Sequence, residues 1–229
     1  LVGAILTHLI LANELQTALQ GMIPVEVFSA ADSAAEEAEC FEYHEEGRHM
    51  ENAVVARRNE FIAGRRCARA ALSKLGQTAS ALPPDAEGVP VWPAGTVGSI
   101  SHSRGLCCAV ATSTDVTCCL GLDLEKTTRL SARAMARVVH PLEVDFVGDD
   151  QTKGSLLFSV KEAFFKAQFP QWHVQPNFKD LALHVDLAAE QMSVQEIAPH
   201  LPKALREAAI GMQFRYRFFG EYVVTLCWL

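Results

Sequence analysis

Residues 106–125 read LCCAVATSTDVTCCLGLDLE. From Leu106 to Ser113 nearly every residue is apolar, the pattern of a strand buried on both faces. Thr114 and Asp115 supply a tight turn, and Val116 to Leu124 resumes as a second strand, so the segment predicts a hairpin. At its end Leu122, Asp123, Leu124 and Glu125 alternate. On a strand that alternation puts the two carboxylates on one face and the leucines in the core.

Ahead of this hairpin, Ala53 to Leu75 is rich in Ala, Arg and Leu and holds no Pro and a single Gly, Gly64. It predicts a long helix ended by Gly76. Pro83, Pro84, Gly88, Pro90, Pro93 and Gly95 then break the chain into turns. Further upstream, Ala30 to Glu39 reads as a surface helix or loop, and Leu1 to Ala12 as an amphipathic helix. Behind the hairpin, Ala132 to Val139 and Ser155 to Phe169 read as helices, the second stopped by Pro170. Gln213 to Phe219 and Glu221 to Trp228 form a second hairpin turning at Gly220. Each half thus runs helices first and hairpin last. The expectation is an α+β protein of two similar subdomains, 1–114 and 115–229.

The 229 residues, 49% hydrophobic and 21% charged, suit an ordinary globular protein with ample core. The apolar stretch at the start contains His8 and runs into Asn13 and Glu14, too short for a membrane span and without the basic flank of a signal peptide. No membrane partner is expected. Seven cysteines are an odd number, and Cys107-Cys108 and Cys118-Cys119 are adjacent pairs, unlike a disulfide framework or a zinc site. Buried reduced thiols and a cytoplasmic location follow. A net charge of -7 argues against nucleic-acid binding, which needs a basic stripe to displace counterions.

Asp123 and Glu125, about 7 Å apart on one face, repel each other unless a cation lies between them. Magnesium, which takes a few carboxylates together with phosphate oxygens, would serve. Alone, such a pair is better read as a solvated strand end. In the helix containing Phe158 to Lys166, Glu162 and Lys166 lie four residues apart on one face. On a solvated face that spacing is commonplace. Beside a metal, Glu162 gains a role as ligand or base and Lys166 as a neutraliser of leaving phosphate.

Gly98-Ser99-Ile100-Ser101-His102-Ser103-Arg104-Gly105 reads as a loop whose amides and short donors approach phosphate closely, or as a plain serine-rich turn. Ser101 and His102 are adjacent and point opposite ways, which disfavours a nucleophile pair. Along the long helix Arg58, Arg65 and Arg69 fall near one line, with Arg57 about 80° from Arg65 around the axis. Ordinary solvated arginines and a phosphate-recognising stripe are both compatible with this spacing. Acids, basic stripe and hydroxyl-histidine segment together describe a site for magnesium and a phosphoanhydride.

Taken in order, four segments resemble the successive signatures of the 4'-phosphopantetheinyl transferases. They are Gly88-Val89-Pro90-Val91-Trp92-Pro93, Gly98-Ser99-Ile100-Ser101-His102, Gly121-Leu122-Asp123-Leu124-Glu125 and Phe158-Ser159-Val160-Lys161-Glu162-Ala163-Phe164-Phe165-Lys166. The likeness is to the larger, pseudo-dimeric Sfp-type class, especially the branch serving siderophore and polyketide synthesis, and Phe61 to Leu72 resembles that branch's arginine helix. It extends over about residues 40 to 170.

The resemblance implies a pseudo-dimeric monomer with its active site where the two subdomains meet. It implies that Asp123, Glu125 and Glu162 hold Mg2+, that Glu162 and Lys166 are catalytic, and that Lys166 and Lys161 face the phosphates of coenzyme A. Arg65 and His102 would bind the 3'-phosphate and pyrophosphate region, with Ser101 beside them and Arg57, or Arg58, as a further contact. Near Trp92, where relatives carry a basic residue, this chain has Asp85 and Glu87. The implied reaction moves 4'-phosphopantetheine from coenzyme A to a serine of an acyl or peptidyl carrier protein, releasing 3',5'-adenosine bisphosphate. The same charges also suit a magnesium-dependent nucleotide pyrophosphate hydrolase. A catalytically silent carrier-binding protein is the reading outside enzymes.

Overall fold

A computed structural model describes residues 2–35 and 37–229, less the side chains of residues 2–5 and of His49. The chain divides into two units, Leu1–Thr117 and Cys118–Leu229. Each lays a long helix on an antiparallel sheet, and the architecture is α+β.

The first unit contains α1 (Val2–Met22), β1 (Phe28–Ser33), α2 (His44–Gly47), α3 (Val55–Lys74), β2 (Thr96–Ser103) and β3 (Leu106–Ser113). Its strand order is β1-β3-β2. The central strand is β3, whose apolar run is buried from Leu106 to Thr112, as a strand flanked on both edges and both faces must be. Its hairpin partner is β2, and the expected pairing with 116–124 is not made. The reason lies in Arg104 and Gly105, whose φ angles of 53° and 82° give a two-residue turn that follows the twist of the strands. Residues 98–103 are therefore a strand rather than a phosphate loop. Residues 28–33, which overlap the start of the stretch read as surface helix or loop (Ala30 to Glu39), pair with β3 in register. Here tertiary pairing overrides a weak local preference. Helix α3 buries Ala63, Cys67, Ala68, Ala71 and Leu72 against Ala30, Cys107, Ala109 and Ala111.

The second unit runs β4 (Leu120–Lys126), α4 (Ala132–Val138), α5 (Val144–Val147), α6 (Gln151–Trp172), β5 (Leu181–Asp186), β6 (Gln191–Ile197), α7 (Lys203–Gly211), β7 (Gln213–Phe219) and β8 (Tyr222–Trp228). Its order is β4-β8-β7-β6-β5. The β7–β8 hairpin forms where the sequence predicts it. Strand β4 pairs with β8, joining Asp123 to Thr225 and Glu125 to Val223 across the ladder. The first unit opens with a helix, α1, as expected, whereas the second opens with the strand β4, which corrects the helices-first order there. One sheet has three strands and the other five.

Helix α6 begins at Asp150, whose carboxylate accepts from the N–H groups of Thr152 and Lys153. It continues through Pro170 to Trp172 instead of stopping before the proline. In the last turn a proline forfeits only one backbone bond. His173, at φ 51°, closes the helix by donating its N–H to the Phe169 carbonyl. Gly121 sets the distance between helix and sheet. A Cβ there would lie 1.9 Å from the Ala163 carbonyl oxygen, so only glycine lets β4 approach the α6 backbone this closely.

All seven cysteines are free thiols, but Cys40 and Cys118 are exposed, so the expectation of uniformly buried thiols holds for the other five. Burial pushes the Cys67 and Cys119 thiols up to about 12. Among the described residues no helix is long and apolar enough to cross a membrane.

Candidate active site

The acids of β4 and the Glu162 helix meet because Gly121 brings strand and helix together. Asp123 and Glu125 are both buried, on the strand face covered by α6. Asp123 Oδ1 accepts from Lys166 Nζ at 2.8 Å, and the same ammonium donates to the Leu122 carbonyl at 3.1 Å. Asp123 Oδ2 accepts from the Ser159 hydroxyl at 2.9 Å. Glu125 Oε1 accepts from Arg129 Nη1 at 2.6 Å. Its other oxygen, Oε2, is buried without a hydrogen-bond partner.

Burial, and then the charge of Asp123, raises both the Glu125 and the Glu162 carboxyl above the ordinary range, with Arg129 and Lys166 acting against the shift at each. Glu162 is half-buried and borders a cavity of about 230 Å³ that Phe165, Asn177 and Phe178 also line. Arg129 is the member of this cluster that sequence reasoning missed. Its four-residue spacing from Glu125 was a usable signal, but it lies beyond the end of the strand.

Among the described residues no three His, Cys, Asp or Glu side chains converge closely enough to hold a metal ion. Lys166 and Arg129 stand beside the acids instead. The chemistry of the donor set nonetheless fits a hard cation: Glu125 and Glu162 both feel the charge of Asp123, and one buried Glu125 oxygen lacks any donor.

Lys161 does not join this cluster. Its ammonium is buried, paired with Glu143 at 2.7 Å and donating to the Val138 carbonyl at 2.9 Å. Burial lowers its pKa, and Glu143 opposes the shift. Glu143 also accepts from the Leu183 and His140 N–H groups. One residue along a helix turns the Lys161 side chain about 100° from Glu162, and its ammonium takes these core partners in place of the expected phosphate.

In the first unit the arginines separate by partner. Arg69 is neutralised by Glu46 and Glu42 at 2.6 and 2.9 Å, and Arg66 by Asp32 and Glu39 at 2.6 and 3.3 Å. Arg58 donates to the Glu39 carbonyl and lies over the Phe41 ring. Arg65 is buried, donates to the Leu82 carbonyl at 2.8 Å and stacks over Phe61 at 4.0 Å, and burial drops its pKa to about 10. Much of the basic stripe is thus balanced from within.

Arg57 differs. It is largely exposed and contacts the His102 ring. His102 Nδ1 lies 3.0 Å from Glu60 Oε2, and Glu60 Oε1 accepts the Gly105 N–H at 3.0 Å. A carboxylate on Nδ1 and a guanidinium on Nε2 assign the proton to Nδ1. Of the two candidates that helical phase left open, Arg57 is the one brought to His102. Ser101, its neighbour on β2, is buried on the opposite face of the strand, so the two do not form one contact surface.

Residues 45–112 match the 4'-phosphopantetheinyl transferase N-terminal domain, and residues 119–227 match the 4'-phosphopantetheinyl transferase superfamily. The chain is 32% identical over 148 residues to the 4'-phosphopantetheinyl transferase Npt of Nocardia iowensis, covering 60% of this chain and 67% of that protein. The chain belongs to the 4'-phosphopantetheinyl transferase superfamily. Two further transferases of that name are similar. Svp of Streptomyces mobaraensis is 36% identical over 69% of this chain and 66% of its own length. PptT of Mycobacterium tuberculosis is 35% identical over 55% of this chain and 57% of its own. The chain thus spans about two thirds of the length of Svp and Npt, and less of PptT. The superfamily match spans both β4 and α6, the two elements that carry the acids and Lys166.

Proposed function

We propose that the protein transfers the 4'-phosphopantetheine group of coenzyme A to a serine of an apo acyl or peptidyl carrier protein. The observation that carries this reading is the meeting of Asp123, Glu125, Glu162 and Lys166 on two abutting elements of a chain in this superfamily.

Asp123, Glu125 and Glu162 are the residues that would hold Mg2+. Bound there, the ion would act as a Lewis acid, drawing charge from the pyrophosphate of coenzyme A. Glu162, with a carboxyl raised above the ordinary range by burial, accepts the proton of the carrier serine. The cavity beside it gives that serine a line of approach. The serine oxygen then attacks the β-phosphorus, and Lys166 balances charge on the departing 3',5'-adenosine bisphosphate. Arg57 and His102 are proposed as phosphate contacts of coenzyme A, since both remain at the surface of the first unit. Arg65 supplies a buried positive charge behind them.

The test is mass spectrometry of apo carrier proteins incubated with coenzyme A and Mg2+. A carrier mass gain of one phosphopantetheine, lost with Glu125→Ala, is the expected result. Bisphosphate release that needs no carrier would show a hydrolase instead, and unchanged transfer by Glu125→Ala would overturn the ligand assignment.

A further inference from the structure

Asp123 is held by the Ser159 hydroxyl, which is itself held by that of Thr225. Ser159, on α6, and Thr225, opposite Asp123 on β8, are both 0% exposed. The Ser159 hydroxyl lies 2.9 Å from Asp123 Oδ2 and 2.9 Å from Thr225 Oγ1. Counting protons fixes the direction of this chain. An ionised carboxylate only accepts, so Ser159 spends its one proton on Asp123, and the bond between the hydroxyls is donated by Thr225. The order Thr225 to Ser159 to Asp123 is a polarised relay in which each bond strengthens the next.

We propose that Thr225 and Ser159 are positioning residues for Asp123: through Oδ2 they fix the carboxylate plane and so set its affinity for a divalent cation. Neither touches the reacting atoms. The proposal rests on reading Asp123 as a metal ligand. Hydrogen bonds to the back of a ligating carboxylate commonly govern affinity by about 10-fold to 100-fold. The rival explanation is that two buried hydroxyls simply satisfy each other and that Thr225 matters for its shape.

Two substitutions at one position separate these. Thr225→Val keeps the shape and removes the hydroxyl; Thr225→Ser keeps the hydroxyl and removes a methyl. Mn2+ binding to the whole chain, read by electron paramagnetic resonance without substrate, is measured beside the urea unfolding midpoint. Thr225→Val is expected to weaken Mn2+ about 10-fold, the lower end for such partners, and Thr225→Ser to bind nearly as wild type. Because Thr225 acts through Ser159, adding Thr225→Val to Ser159→Ala should cost nothing further. Wild-type affinity in Thr225→Val, with weakened binding in Thr225→Ser, overturns the proposal in favour of packing. If wild type binds no Mn2+, or binds it equally with Asp123→Asn, the metal reading falls and this proposal with it.

Discussion

The Lys166 ammonium bridges the side chain of Asp123 and the backbone of the preceding residue, 2.8 Å from Asp123 Oδ1 and 3.1 Å from the Leu122 carbonyl. It is thereby tied to β4 as well as to its own helix. Lys166→Met should cut carrier modification by about 100-fold to 1,000-fold at saturating coenzyme A, the loss typical of a group that stabilises transition-state charge. Initial rates of carrier modification over a range of coenzyme A concentrations check this. An effect confined to KM would assign Lys166 to ground-state binding alone.

Lys161 leads to the opposite expectation. Its pair with Glu143 lies out of water, and removing one partner strands the other. Lys161→Met should lower stability by about 3 kcal/mol or more, while Lys161→Met with Glu143→Gln recovers part of that loss. Urea denaturation of the two variants gives the comparison. A phosphate role would instead raise the KM for coenzyme A in a chain of normal stability.

Gly121→Ala inserts a methyl where a Cβ meets the Ala163 carbonyl oxygen at 1.9 Å. Backbone on both sides leaves nothing flexible to yield. The substitution should cost about 3 kcal/mol, the upper end for overpacking, and separate β4 from α6. A thermal melt reports the first effect and loss of Mn2+ binding the second.

Thiol accessibility offers a test independent of catalysis. Cys40 and Cys118 are exposed, whereas Cys67, Cys107, Cys108, Cys119 and Cys227 are buried. Burial raises the thiols of Cys67, Cys107, Cys119 and Cys227, so little thiolate is available to react. Brief iodoacetamide treatment of the native chain should modify Cys40 and Cys118, and the remainder only in urea. Peptide mapping that finds Cys107 alkylated under native conditions would contradict the three-stranded sheet.

The elements legible in the sequence are those whose signal is local. Helix α3, the run of β3 and the β7–β8 hairpin each carry their own periodicity or turn. Strand β1 does not: Phe-Ser-Ala-Ala-Asp-Ser has little strand preference and is recruited by pairing with β3. The Thr114-Asp115 turn was misleading because Arg104-Gly105 offers β3 a tighter partner. At the site, alternation on β4 and the four-residue spacing on α6 placed Asp123, Glu125, Glu162 and Lys166 on the right elements. The balancing of Arg66 and Arg69 by Asp32, Glu39, Glu42 and Glu46 was invisible, since those acids come from segments without a periodic pattern. The role of Thr225 was hidden by distance along the chain.

That distance governs how the molecule is made. Asp123 and its partner strand β8 are separated by every helix and strand between α4 and β7. A nascent chain on the ribosome that has not yet extruded Tyr222 to Trp228 holds β4 with no ladder partner among the strands of its own unit. The ladder beneath Asp123 and Glu125 is thus completed only once Tyr222 to Trp228 have been made.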